Sequence, residues 1–86
     1  MSDKFQLASK KVTTLPAEPS PDIMLRLYAL YKQSTLGDVQ GRRPGRLDFR
    51  GRAKYDCWAY RRGMSREEAQ QRYVNLVDDL LKRART

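Results

Sequence analysis

The side chains able to do chemistry gather in the middle of this chain. Tyr28, Tyr31 and Lys32 are spaced i, i+3 and i+4, so a helix would project them from adjacent parts of one face. Such a face can stack a nucleobase on an aromatic ring and hold a phosphate with a phenol or an ammonium. The competing reading places both tyrosines in a core with their hydroxyls at its rim. Lys54 lies one turn before Trp58 and beside an otherwise apolar stripe, where its charge must snorkel to water or meet an anion. Tyr73 has Leu76 and Val77 at i+3 and i+4, which suits a core as well as a site.

Catalytic constellations are missing. The chain has no histidine, which removes Ser-His and Cys-His nucleophile pairs and most transition-metal sites. Its one cysteine, Cys57, cannot form an internal disulfide or a zinc site of the usual kind, and it falls in an apolar stripe as a small core residue. The pairs Glu67-Glu68 and Asp78-Asp79 are sequence neighbours, so on a helix their carboxyls diverge by about 100° and cannot face one substrate. No Walker A or dinucleotide-binding glycine pattern occurs.

Charge narrows the partner to an anion. The 86 residues carry 18 Lys+Arg against 10 Asp+Glu, a net of +8. Residues 41–63 hold eight cations against Asp48 and Asp56, while the flanking segments are nearly balanced. A block of this kind attracts phosphates on nucleic acid, on an anionic membrane or on a small ligand, or it simply solvates the surface. The block lacks a nucleic-acid-binding signature, and a long loop stands where a helix-turn-helix needs a short turn, so no nucleic acid is expected. No run of about 18 apolar residues is present, and the opening MSDKFQLASKK is not a secretory signal, so a soluble protein of a reducing compartment is expected.

Four helices must position these residues. Asp3 is expected to cap the first, with Gln6 at capping-box spacing and Phe5, Ala8, Val12 and Leu15 on its apolar face. Pro16 and the LPAEPSP stretch end it. Ser20-Pro21-Asp22 opens the second helix, whose face carries Met24, Leu27, Tyr28 and Tyr31, with Leu25 and Lys32 at its margins; Gly37 stops it. Residues 37–49 (GDVQGRRPGRLDF) form a loop long enough to suggest a role. A third helix is expected over about residues 50–62, with Ala53, Cys57 and Trp58 as its buried stripe and Gly63 as a left-handed stop. Ser65 and Glu68 form a capping box for the fourth, whose inner face carries Ala69, Tyr73, Leu76, Val77, Leu80 and Ala84. No segment reads as a strand, so the class is all-α, and residues 1–86 read as one domain.

From Tyr28 to Trp58 the chain reads YALYKQSTLGDVQGRRPGRLDFRGRAKYDCW. The pattern Tyr-x-x-Tyr-Lys-Gln, Gly-Asp, Arg-Pro-Gly, Leu-Asp-Phe, Gly-x-Ala-Lys and Trp resembles the acyl-CoA-binding protein family. Phe5 and Ala8, Pro19, Ser65 and Tyr73 extend the resemblance over essentially the whole chain without a gap. It implies a four-helix up-down-down-up bundle with a long crossover between the second and third helices. It also implies a non-catalytic, cytoplasmic, monomeric carrier that binds medium- to long-chain fatty acyl-CoA with high affinity, needs no cofactor or metal, and meets acyl-CoA-using enzymes and anionic membrane surfaces transiently.

Carried over position by position, the resemblance assigns Tyr28, Lys32 and Lys54 to the ribose 3′-phosphate of the coenzyme and Tyr31 to its adenine. Tyr73 is assigned to a ribose or phosphate contact and Arg50 to a cation near the headgroup. Met24, Leu25 and Ala53 are assigned to the acyl path. Thr13 and Glu18 depart from the family by standing where many relatives have lysines, and Tyr55 and Cys57 stand where tryptophan and alanine are more usual. The arginine-rich block is heavier than in typical members, an excess that can offset the two missing lysines or assist contact with an anionic membrane.

Overall fold

A computed structural model describes residues 2–85. Its order is α1 (Asp3–Lys11), a single 3-10 turn (Val12–Thr14), α2 (Pro21–Thr35), α3 (Phe49–Ala59) and α4 (Arg66–Ala84), with no strand among the described residues. The all-α, four-helix expectation therefore holds.

Each helix begins with a side-chain cap. Ser20 Oγ accepts from the Ile23 amide at 3.4 Å, Asp48 Oδ1 from Gly51 at 2.9 Å and Ser65 Oγ from Glu68 at 3.0 Å, each satisfying an amide that the first turn leaves without a partner. The cap of α1 is Ser2 rather than Asp3: Ser2 Oγ accepts from Phe5 at 3.2 Å, and Asp3 sits in the first turn, where its charge complements the helix dipole. Only the serine half of the Ser65–Glu68 box forms, because the Glu68 carboxylate turns to Arg72 at 2.8 Å. The α3 boundaries also shift. It starts at Phe49 because Asp48 is the cap, and it ends at Ala59 in tight turns closed by Arg61 to Trp58, Arg62 to Ala59 and Met64 to Arg61. Gly63 supplies the expected left-handed residue, at φ +90°.

The molecule measures 39 × 27 × 16 Å along its principal axes. A domain of this size has a large surface for its volume, so few side chains are wholly covered. Phe5 and Ala8 of α1, Leu27 and Leu30 of α2, and Tyr73 and Val77 of α4 form the buried cluster. In α3 only Trp58 is buried; Ala53 and Cys57 are half-buried, and Ala84 at the end of α4 is exposed. Helix α2 packs on both α3 and α4, and α4 also packs on α1. The buried face of α2 is therefore Leu27, Ala29, Leu30, Gln33 and Ser34, rotated away from the Met24–Tyr28–Tyr31 side.

Gln33, wholly buried, organises the crossover. Its Nε2 donates to Asp38 Oδ1 at 2.9 Å and to the Met64 carbonyl at 2.8 Å. Asp38 Oδ1 also accepts from the Gly63 amide at 2.8 Å, and Trp58 Nε1 donates to the Gly37 carbonyl at 2.8 Å. The start of the crossover is thus tied to α3 and to the α3–α4 turn. The Gly63 amide, followed by the Gln33 amide, holds the Asp38 carboxyl below its ordinary value of 3.8.

Replacing Gln33 with methionine is expected to destabilise the protein by about 1–3 kcal/mol in urea unfolding, because the Met64 carbonyl loses its donor. Asp38 is depressed, so its stabilisation is fully present above the unfolded pKa and disappears as pH falls through the lower folded value. The stability difference between wild type and Asp38→Asn should accordingly shrink below pH 3.8.

Candidate functional site

The side of α2 that escapes the core faces a cavity of about 530 Å³, walled by the 3-10 turn after α1, the following loop, α2 and Tyr73 of α4. Val12, Leu15, Ala17 and Pro19 give it an apolar wall, and Met24 and Leu27 rise from α2. The proline-rich LPAEPSP stretch is therefore more than a helix stop. Proline cannot continue a helix, so the chain leaves the 3-10 turn, bends at Pro16 and Ala17, and lends the cavity side chains.

Two aromatic groups mark the site. In the first, Phe5 stacks on Tyr31 with centroids 5.6 Å apart and planes 25° apart, and Tyr73 meets Phe5 at 5.1 Å and Tyr31 at 5.9 Å. Phe5 and Tyr73 are buried, whereas Tyr31 keeps 43% of its surface exposed and presents a ring to the cavity. Burial, then the neighbouring Tyr31, pushes the Tyr73 phenol above its ordinary value of 10.0, so near neutral pH it is a hydrogen-bond donor.

The second group centres on Tyr28, which also lines the cavity. Lys32 Nζ lies 5.7 Å from its ring centroid and Lys54 Nζ 5.3 Å, and Lys32 lies as close to the Trp58 ring, at 5.7 Å. Cation–π attraction holds both ammonium groups at one edge of the cavity. Neither forms an ion pair with a carboxylate among the described residues, so their donors are free for an anion.

The structure brings Tyr28, Lys32 and Lys54 together, although Lys54 belongs to another helix, and it places Tyr31, Tyr73 and Met24 on the same cavity. Leu25, half-buried on α2, and Ala53, half-buried on α3, lie outside the cavity lining; Arg50 is exposed in the first turn of α3. Thr13 and Glu18 are part of the lining. Sequence reasoning assigned Phe5 only to an apolar face, yet its ring backs both site tyrosines; the i, i+3 helical pattern could show its burial but not its distant neighbours. No cluster of metal-ligating side chains occurs among the described residues.

An apolar cavity bounded by aromatic rings and two unpaired ammonium groups defines a small helical module suited to an amphiphile with an anionic, ring-bearing head. The family model described as acyl CoA binding protein matches residues 2–77. A Drosophila melanogaster acyl-CoA-binding protein homolog is 43% identical over 81 residues, covering 94% of each chain. The acyl-CoA-binding protein of Saccharomyces cerevisiae is 42% identical, covering 94% of this chain and 93% of its own. Among solved structures, Oryza sativa acyl-CoA-binding protein 2 superposes with a TM-score of 0.93 at 39% identity, covering 98% of this chain and 91% of that one. The corresponding protein of Moniliophthora perniciosa superposes with a TM-score of 0.90 at 43% identity, covering 100% and 86%. The chain belongs to the acyl-CoA-binding protein family.

The ring cluster generates a stability prediction. Phe5→Leu keeps an apolar side chain but removes two ring pairs, and it should cost roughly 1–3 kcal/mol in urea unfolding. In an ultraviolet titration of the native protein Tyr73 should ionise above 10.0, and Phe5→Ala should bring it down by admitting water.

Proposed function

We propose that this protein binds medium- to long-chain fatty acyl-CoA thioesters reversibly and acts as a cytoplasmic carrier and buffer for them. The supporting observation is the pair of ammonium groups held without carboxylate partners on Tyr28, at the edge of an apolar cavity. In this reading Lys32, Lys54 and the Tyr28 hydroxyl hold the ribose 3′-phosphate with charge-assisted bonds. The exposed Tyr31 ring stacks on the adenine, the neutral Tyr73 phenol donates to a ribose or phosphate oxygen, and Arg50 neutralises charge at the headgroup. Met24 starts the acyl path, and Leu25 and Ala53 extend it along the surface of α2 and α3 beyond the cavity.

Headgroup contacts supply specificity, and chain burial supplies affinity at about 0.8 kcal/mol per methylene. A ligand that binds only the native state also stabilises it by mass action, which matters in a protein with so small a buried cluster. The reading contains no catalytic step: the chain has no histidine, and the ligand is released unchanged. It treats residues 1–86 as one binding unit, acting as a monomer that takes no cofactor, binds no nucleic acid and delivers its cargo to acyl-CoA-using enzymes.

Palmitoyl-CoA at micromolar levels should raise the melting temperature strongly, and free palmitate should raise it little. Absence of any shift with either acyl-CoA or coenzyme A would overturn the reading. Tyr28→Phe and Lys54→Ala should each weaken palmitoyl-CoA binding about tenfold or more in calorimetric titration, with the fold intact. Glu18→Lys adds a cation to the cavity wall and should tighten binding roughly threefold to tenfold at low salt, a gain that diminishes as salt is added.

A further inference from the structure

Away from the cavity of Tyr28 and Tyr31, three arginines line a smaller hollow. It measures about 230 Å³ and is walled by Arg26 and Leu30 of α2, Arg61 of the turn after α3, and Arg72, Asn75 and Leu76 of α4. It shares no residue with the larger cavity. Arg26 is two residues from both Met24 and Tyr28, so it leaves α2 about 160° around the helix from each. Nothing in the carrier reading uses this side.

Three guanidinium groups around one hollow repel one another unless something offsets them. The offset present is partial. Arg72 Nη2 reaches Glu68 at 2.8 Å in an exposed pair. Arg61 Nη1 donates to the Cys57 carbonyl at 2.9 Å, a neutral acceptor that orients the group without cancelling its charge. Arg26 has no ion pair among the described residues, although Asp22 stands one turn before it. Asp79, one turn after Asn75, is taken by Arg83 at 3.1 Å. Two positive charges are left unmatched.

Long arginine stems often do no more than cover apolar surface with their heads in water. Two observations go further here. Leu30 is 3% exposed and Leu76 half-buried, and a cleft of one charge sign over an apolar floor concentrates the field felt by a counter-ion. Asn75 Oδ1 accepts from Gln71 Nε2 at 2.9 Å, which leaves the Asn75 side-chain nitrogen as a donor at the same hollow.

We propose that this hollow is a second ligand site, for a small phosphate monoester. Guanidinium forks match phosphate oxygens two at a time. A monoester, with its second pKa at about 6, approaches a dianion at neutral pH and so meets the two unmatched charges. At the ~30 Å³ share of a water molecule, the hollow holds roughly eight non-hydrogen atoms, a phosphate group with about three carbons and far less than a whole coenzyme. Leu30 and Leu76 take the carbon skeleton, and Asn75 donates to an ester or hydroxyl oxygen. The site stands independently of the acyl-CoA reading.

Nuclear magnetic resonance titration of the full chain with glycerol 3-phosphate, with and without saturating palmitoyl-CoA, tests the proposal. Saturable shifts should concentrate on Arg26, Arg61, Arg72 and Asn75 and persist with palmitoyl-CoA present. Affinity should fall about threefold from pH 7.5 to 5.5 as the ester takes up a proton, since the chain has no histidine to change charge in that window. Arg26→Gln and Arg72→Gln should each weaken binding about fivefold or more, with wild-type circular dichroism and palmitoyl-CoA melting shift. Glu68→Gln removes the competing carboxylate and should tighten it about twofold. Shifts that do not saturate, that spread evenly over the arginines of the loop between α2 and α3, that vanish with palmitoyl-CoA, or that survive both arginine substitutions would overturn the site. Succinate binding as tightly as glycerol 3-phosphate would overturn the phosphate assignment. A chain that binds glycerol 3-phosphate here but shows no palmitoyl-CoA melting shift would refute the carrier reading and leave this site in place.

Discussion

The buried amide of Gln33 is the constraint on which the site depends. A four-helix chain with a crossover spanning residues 36–48 has to fix that crossover at some cost in conformational entropy, since a long loop can close in many ways. Gln33 reaches Asp38 at the start of the crossover and Met64 just before α4, and Asp38 reaches Gly63. Gln33 is buried, so its bonds are costly to leave unmade, and Asp38 extends them to the α3–α4 turn at the surface. Trp58 adds a bond from α3 to Gly37. Once α3 is fixed in this way, Lys54 falls over the Tyr28 ring of α2, and two lysines remote in sequence come to share one aromatic neighbour.

The small size of the molecule leaves room for the cavity and limits stability. Leu27 and Leu30 are committed to the buried cluster, but α3 and α4, which pack on α2, do not cover its whole circumference. The side with Met24, Tyr28 and Tyr31 therefore remains partly open, at 41% exposure for Met24 and 43% for Tyr31. An open apolar and aromatic face loses hydrophobic stabilisation that a filled one would have. A ligand on that face restores it, which couples folding to occupancy without any moving part.

Much of this was legible locally. Ser20-Pro21, Ser65 and Gly63 mark their boundaries by hydrogen-bonding and backbone preferences that operate within a few residues. Where two capping residues are adjacent, as at Ser2 and Asp3, type and spacing do not choose between them; the helix geometry does. The i, i+3, i+4 pattern of α2 located its apolar and aromatic residues but not which side faced the core, because that depends on α3 and α4 packing from two directions. Leu25 and Ala53 show the same limit, since their assignment came from family resemblance and the cavity stops short of both. Gln33 looked like one more polar residue in a motif. Its role rests on a bond to a residue 31 positions away, which no local pattern encodes.

The basic block illustrates how little a charge count says about contact. Of its eight cations, Lys54 alone lies on a ring that lines the cavity. Arg43 is engaged by Asp56, and Arg61 spans back to the Cys57 carbonyl at 2.9 Å. Charges that lie outside a site still act on it, because their summed field raises the local concentration of an anionic ligand and speeds its arrival. That influence falls off within about 8 Å at physiological ionic strength, whereas the contacts of Lys32 and Lys54 are short-range and partly shielded from salt. Short-range contacts and a summed field are thus separable in this molecule: the first belong to the two lysines on Tyr28, the second to the arginines around them.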